Sequence, residues 1–420
     1  MPTGMLLRSL LVSTISSNRF LLIPTLSFLS FLSKPGRSFL LNVDRNPILH
    51  AILRKGFYDQ FCAGESERET KACVQRFKDL GFRGFILTYA KETLFDHYAK
   101  AMEKKNQDGV AQGVAAVEVK DAFDQDVENW KKGTLATGSM VGEGDILAIK
   151  LTGAGIGVST ALAAREELPK RMKDALNEIL ESCANRNVRV IIDAESQYFQ
   201  KGIDDVAIEM MSKFNRNGTA VIYNTYQAYL KNTTNNILGH MERASKEGFT
   251  LGLKLVRGAY ILSETRSLIH DTKEDTDNAY NAISQSALRQ ELGEFGSKAA
   301  GARPFPSLNL LLATHNRASV IAAQRLHFQR TVDGLPTVPV AYAQLHGMSD
   351  EVSFSLLQEK KPEDDGPEVY KCSTWGTLGE CLAYLLRRAV ENRDAVLRTK
   401  DEHRAVKAEC WRRFKGVFTA

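Results

Sequence analysis

Past residue 45 the chain alternates short apolar runs with stretches of helical periodicity, and the alternation repeats eight times. The apolar runs are 82–89, 146–153, 188–195, 219–227, 251–260, 308–316, 338–348 and 370–376, most of them rich in β-branched, leucine or aromatic residues. Helical periodicity occupies 160–184, 204–214, 229–246, 275–292, 318–329 and 378–397 between them. Strands this apolar, each followed by a helix, predict a parallel sheet covered on its outer face. Eight repeats suit an α/β fold of the closed (β/α)8 TIM type, which needs ~250 residues or more, with an open doubly wound sheet as the alternative. Residues 1–80 are expected to form an N-terminal helical, targeting-like arm and 81–400 the barrel. A helical insertion is expected over about 92–143, after the first strand, and a C-terminal tail over 401–420.

In such a barrel chemistry gathers at the carboxyl ends of the strands. Those ends carry Lys150, Asp193 with Glu195, Gln227, Lys254 through Arg257 to Tyr260, His315 with Asn316, and Gln344 with His346. Alternation places Ile146, Ala148 and Lys150 on one strand face, and Asp193 on the same face as Glu195. Any one of these is as well read as a structural ion pair at the barrel mouth. Their recurrence on several strand ends favours a site.

The stretch 381–392, CLAYLLRRAVEN, adds a helical constellation. Tyr384, Arg387, Arg388 and Glu391 follow i, i+3, i+4, i+7 spacing, while Leu382, Leu385, Leu386 and Ala389 make the opposite stripe. The plain reading is a surface helix with an Arg387–Glu391 pair worth a few tenths of a kcal/mol. The sharper one is a double clamp for a substrate carboxylate, since the guanidinium fork holds both oxygens.

Composition narrows the classes. The 420 residues, 43% of them hydrophobic, support an extensive core, and 55 basic against 50 acidic residues leave a net charge of +5 with no nucleic-acid footprint. Six dispersed cysteines with no C-x-x-C argue against a disulfide framework or a zinc ribbon. No acid precedes Asp44, while Arg8, Arg19, Lys34 and Arg37 punctuate a Leu/Ser/Thr-rich run, a composition similar to a mitochondrial targeting segment. Its apolar part, 20–32, is shorter than the ~20 residues of a membrane-spanning helix and contains Pro24.

Other motifs fail. Gly153-Ala-Gly-Ile-Gly-Val158 approaches a dinucleotide fingerprint but has valine where the last glycine belongs. His315, His346 and Asp193 are residue types that suit zinc, without H-x-H or H-E-x-x-H spacing. Neither a P-loop nor a G-x-S-x-G elbow occurs.

Seven segments, in order, resemble the motifs of the proline dehydrogenase (proline oxidase) family, in a form similar to the fungal mitochondrial enzyme. They are Ile149-Lys-Leu-Thr152, Ile192-Asp-Ala-Glu195, Asn224-Thr-Tyr-Gln-Ala-Tyr-Leu230, Lys254-Leu-Val-Arg-Gly-Ala-Tyr260, Ala313-Thr-His-Asn316, Gln344-Leu-His-Gly-Met348 and Tyr384-Leu-Leu-Arg-Arg-Ala-Val-Glu-Asn392. The resemblance covers roughly 45 to 400. It implies a (β/α)8 barrel that binds FAD non-covalently and oxidises L-proline to Δ1-pyrroline-5-carboxylate. Electrons then pass to membrane quinone at the matrix side of the inner mitochondrial membrane. It further implies that Arg387 and Arg388 hold the proline carboxylate, with Tyr384, Tyr260, Lys150 and Asp193 completing the pocket. Gln227, Lys254, Arg257, His315, Asn316 and Glu391 would contact or support the flavin, and no metal is expected. Two departures stand out. Lysine occupies position 254 where bacterial relatives usually carry arginine, and Cys372 stands where many relatives place a pocket tyrosine. A smaller side chain at 372 leaves room for a ring substituent, which brings in hydroxyproline as an alternative substrate. Different-class alternatives are a metal-dependent barrel hydrolase and a membrane-surface scaffold without catalysis.

Overall fold

The computed structural model describes residues 1–33, 38–89, 114–261, 264–296, 301–359, 366–394 and 396–419, with the side chains at 114–122, 383, 387–389, 391–399 and 417–419 outside that description. Eight strands close a barrel in sequence order: β1 Gly84–Tyr89, β2 Ile146–Ile149, β3 Arg189–Ile192, β4 Ile222–Gln227, β5 Leu251–Val256, β6 Leu308–Ala313, β7 Val340–Leu345 and β8 Glu368–Trp375. Every ladder described is parallel. All eight fall inside or within two residues of the predicted runs. The apolar runs overshoot because the barrel mouth takes over where the ladder ends: Lys150, Asp193, Tyr260 and His315 all lie past the last strand residue.

The chain divides into two compact units, 92–342 and 1–91 with 343–420. In the first of these, β2 and β4 are buried at every position, which is why they read as continuous apolar runs without alternation. Strand β5 approaches β4 closely at Gly252, where a Cβ would lie 2.1 Å from the Ile222 carbonyl oxygen. Only glycine fits there. The single helix expected over 160–184 is in fact two, Ile156–Ala164 and Lys170–Ala184, separated where Arg165 takes a left-handed conformation (φ 56°) ahead of Pro169. A proline just before the second helix supplies the fixed φ of a helix entry while ending the preceding chain direction. Of the expected insertion, the helix Val114–Gly138 is described and 92–113 lie outside the described residues.

The other unit carries β1, β8 and the second half of β7 together with the helices Thr3–Ser17, Arg19–Leu32, Pro47–Leu53, Glu67–Asp79, Asp350–Gln358, Leu378–Asp394 and Val396–Thr419. The last of these, where a tail is expected, is a helix lying along Thr3–Ser17, with Arg413 donating to the Met1 carbonyl at 2.8 Å and Ser13 within 3.3 Å of His403. One core cluster joins Val12, Leu29, Leu53, Tyr58, Leu382 and Leu385, so the arm and the helix Leu378–Asp394 share a single apolar interior. Strand β8 alternates its side chains as the pleat requires. Lys371 points outward to a fully buried ion pair with Asp350 at 2.7 Å and donates to the Met348 carbonyl, while Cys372, registered opposite Ile86, takes the other face.

His346, just past β7, is packed edge-on against Phe77 and Phe85 and lies 3.3 Å from the Ser373 hydroxyl. Burial, reinforced by the Lys371 charge, lowers its pKa to about 3. A folded-state pKa below the unfolded value of ~6.5 means the unfolded chain takes up a proton that the folded one refuses, so stability falls as pH drops from about 6.5 towards 3. His346→Asn should therefore flatten the pH dependence of the urea midpoint between pH 6.5 and 5 by up to one proton. An unchanged slope would assign the acid sensitivity elsewhere.

Candidate functional site

At the carboxyl ends of β3 and β5 the structure forms an ion pair: Lys254 donates to Asp193 at 2.7 Å, with the two side chains only 12% and 20% exposed. The register Thr225↔Lys254 and Lys254↔Leu311 fixes the lysine on β5, and its ammonium pairs with the residue that follows β3. Gln227, buried, bridges neighbouring strand ends: its amide donates to the Glu195 carbonyl at 3.3 Å, and its oxygen accepts from the Ala259 amide at 3.3 Å. Gly258 makes that approach feasible. Its φ of +148° is costly for other residues, and a Cβ there would lie 2.3 Å from the Tyr229 ring.

Arg257 belongs to a second group. Its Nε donates to Asp277 at 2.7 Å, its terminal nitrogens donate to Thr314 and Ser319, and its plane lies 4.3 Å over the Tyr280 ring. Thr314, His315 and Asn316 lead into the helix Arg317–Val332, whose N-terminus Asn316 caps by accepting from the Ser319 amide at 3.1 Å. A fixed guanidinium beside a helix N-terminus is a donor set suited to a phosphate-bearing group.

Glu195 is part of this region in a way the sequence does not announce. It is buried, accepting from the Thr152 amide at 3.2 Å and from the Thr152 hydroxyl, and burial pushes its carboxyl upward against the opposing charge of Lys150. Behind it Gln200 accepts from the Glu195 amide at 2.8 Å and donates to Asp204, which also accepts from Asn224 at 2.8 Å. Burial raises Asp204 to about 6 despite those hydrogen bonds. Asp193 and Glu195 were expected to share one face. Because β3 ends at Ile192, they take separate partners, Lys254 and Thr152.

In the other unit, Tyr384 is buried on the helix Leu378–Asp394, and the side chains of Arg387, Arg388 and Glu391 lie outside the described residues. Two carboxylates of the arm hold the start of this helix. Asp44 accepts from the Gly379 amide at 2.9 Å and Glu65 from the Leu378 amide at 2.8 Å. Negative charge at a helix N-terminus is favourable, and both acids fix the helix that carries the paired arginines. With His50 they form a trio whose ligand atoms lie within 4.8 Å of one another, but Arg54 sits 3.1 Å from Glu65, and the cap accounts for the arrangement. His346, weighed above as a metal ligand, instead occupies the aromatic packing of Phe77 and Phe85.

Residues 73–401 match the family described as Proline dehydrogenase. The chain belongs to that family. It is 33% identical over 239 residues to "Probable proline dehydrogenase, mitochondrial" of Schizosaccharomyces pombe, covering 56% of this chain and 48% of that protein. It is 28% identical over 410 residues to "Hydroxyproline dehydrogenase" of Bos taurus, covering 87% and 82% respectively. The chain thus spans about half the length of the fission-yeast relative. Among solved structures, proline utilization A of Bdellovibrio bacteriovorus, inactivated by N-propargylglycine, superposes with a TM-score of 0.67 at 16% identity, over 91% of this chain and 38% of that one. That likeness concerns the barrel fold. Within the proline dehydrogenase family match lie Lys150, Asp193, Gln227, Lys254, Arg257, Tyr260, His315, Asn316, Tyr384, Arg387, Arg388 and Glu391, whereas Asp44 and Glu65, which anchor the helix of the last four, precede it.

Proposed function

We propose that the chain is an FAD-dependent dehydrogenase that oxidises L-proline to Δ1-pyrroline-5-carboxylate and passes the electrons to a membrane quinone at the matrix face of the inner mitochondrial membrane. The family match across 73–401 carries this reading, together with the Lys254–Asp193 pair at the strand ends where the resemblance expects flavin and substrate. The donors present suit the cofactor. Lys254 and Gln227 offer hydrogen bonds for a polar ring edge. Arg257 with the helix start at Asn316 offers a cationic, amide-rich seat for phosphate, and His315 and Glu391 are assigned supporting contacts. When bound, FAD supplies the two-electron acceptor for the substrate C–N bond.

What the chain itself does is bind and orient. The paired guanidinium groups of Arg387 and Arg388 clamp the carboxylate, and Tyr384 and Tyr260 wall the ring and exclude water, with Lys150 and Asp193 completing the pocket. Proline must surrender its amine proton before the C–N bond is oxidised, so turnover at subsaturating substrate is expected to rise with pH. A flat profile between pH 6 and 9 would contradict that. The direct test is aerobic turnover of L-proline with a water-soluble quinone, with the product trapped by an aromatic amino-aldehyde. Trapped product and quinone reduction in equal amounts support the reading, and reduction without product overturns it.

Hydroxyproline is the second reading, and Cys372 favours it. The Cys372 side chain is partly exposed on the strand face opposite the buried Lys371, and the mammalian relatives covered over most of their length are named for hydroxyproline. Cys372→Tyr is expected to lower the ratio of hydroxyproline to proline turnover at least tenfold. An unchanged ratio removes Cys372 from substrate choice.

For the membrane partner the support is the arm. Phe20, Leu40 and Ile48 are 90%, 71% and 73% exposed, and Arg19, Arg45 and Lys55 of the same arm are exposed as well. Exposed apolar side chains together with exposed cations on one arm match an anionic bilayer surface. Among the described residues no single helix is long and apolar enough to cross a membrane; Thr3–Ser17 and Arg19–Leu32 reach that length only together, bent by 100°. Mitochondrial location is supported by the names of the fission-yeast and Dictyostelium discoideum relatives.

A further inference from the structure

Within the unit formed by 1–91 and 343–420, a pocket of about 370 Å³ opens between the helices Thr3–Ser17 and Glu67–Asp79. Three arginines line it, Arg8, Arg54 and Arg76, with two acids, Asp59 and Glu69.

The acids are not shared evenly among the arginines. Arg54 takes up both acids, at 2.6 Å from Glu69 and 3.7 Å from Asp59, and Glu65 as well at 3.1 Å. Among the described residues Arg8 and Arg76 have no ion-pair partner, and the Nε of Arg8 is buried with no hydrogen-bond acceptor. Two groups on the pocket floor respond to the same pair of charges. Burial and Lys371 depress the His346 imidazole, and Arg8 and Arg76 depress it further. The Cys73 thiol, raised by burial to about 11, is drawn back by Arg76 and Arg8. The positive field of the two guanidinium groups therefore reaches into the cavity.

We propose that this pocket binds a phosphate group, held by the guanidinium groups of Arg8 and Arg76. A tetrahedral oxyanion supplies several acceptors to a pair of guanidinium groups, and Arg54 is already committed to carboxylates. The apolar lining of Met5, Ala72, Phe77 and Leu80 accommodates a carbon moiety beside the phosphate. None of the residues involved belongs to the proline-oxidising reading, so the two stand or fall separately.

The test is calorimetric titration of the flavin-loaded full chain with inorganic phosphate at constant ionic strength, chloride making the balance. A saturable one-to-one isotherm is expected, weakened at least tenfold by Arg8→Gln and by Arg76→Gln and unchanged by Arg325→Gln, an exposed arginine elsewhere. Arg76 is exposed and unpaired, so its variant preserves the fold even if Arg8→Gln disturbs the arm. Absence of saturable binding, or equal binding by wild type and both variants, overturns the proposal. Flotation on phosphatidylcholine vesicles with and without an anionic phospholipid distinguishes the source. Loss of flotation in the two variants identifies a lipid headgroup, retained flotation with lost phosphate binding identifies a soluble phosphate ester, and both outcomes support the phosphate site.

Discussion

Arg388→Ala is expected to weaken productive proline binding by about 2–5 kcal/mol, the range for truncating one partner of a buried, hydrogen-bonded charge pair. That corresponds to a fall in kcat/KM of roughly thirtyfold to several thousandfold. The reason lies in the ligand. Proline offers a carboxylate, a secondary amine and an apolar ring, so its orientation depends on whatever holds the carboxylate. Tyr384 is buried one turn before the arginines, and the helix that carries all three is fixed at its start by Asp44 and Glu65. Misplacement of that helix would misalign the clamp without touching it. Arg388→Lys, which keeps the charge but loses the fork, should recover only part of the loss. Steady-state kinetics with L-proline measure both variants, and kinetics of Arg388→Ala equal to wild type would return the paired arginines to a charged surface face.

Lys371→Met is expected to destabilise the fold by about 3–5 kcal/mol, the cost of stranding one partner of a fully buried ion pair. Lys371 and Asp350 have side-chain exposures of 0% and 1% at 2.7 Å, and Lys371 donates further to the Met348 carbonyl at 2.9 Å. Removing the ammonium leaves Asp350 with the 3.3 Å hydrogen bond from Ser9 in an otherwise low-dielectric interior. Lys371→Met with Asp350→Leu should recover most of the loss, because paired replacement removes both desolvation costs. Urea unfolding of the single and double variants reads the coupling directly. Additive losses would show that the pair contributes no mutual stabilisation.

Much of the fold was legible because a parallel barrel writes its strands as continuous apolar runs. Lys254 and Asp193 were both visible as strand-end residues, and the structure pairs them. Local periodicity could not reveal contacts made across hundreds of residues. Asp44 and Glu65 cap a helix beginning at Leu378, and nothing near either acid signals it. The break between Ile156–Ala164 and Lys170–Ala184 did have a local signal in Pro169, which apolar periodicity on both sides concealed. Glu195 was visible as a strand-end acid, but its partner Thr152 follows a different strand. That Asp59 and Glu69 go to Arg54 and not to Arg8 or Arg76 is a pairing that tertiary packing alone decides.

The central claim is tested most directly by the visible spectrum of the purified, FAD-loaded protein before and after anaerobic addition of L-proline, with hydroxyproline in a parallel cuvette. Loss of the oxidised flavin band with proline is the result expected, and the second cuvette reports what Cys372 permits. A flavin band that neither imino acid bleaches would contradict the substrate assignment, and failure to retain FAD would contradict the role given to Lys254, Arg257 and the helix start at Asn316.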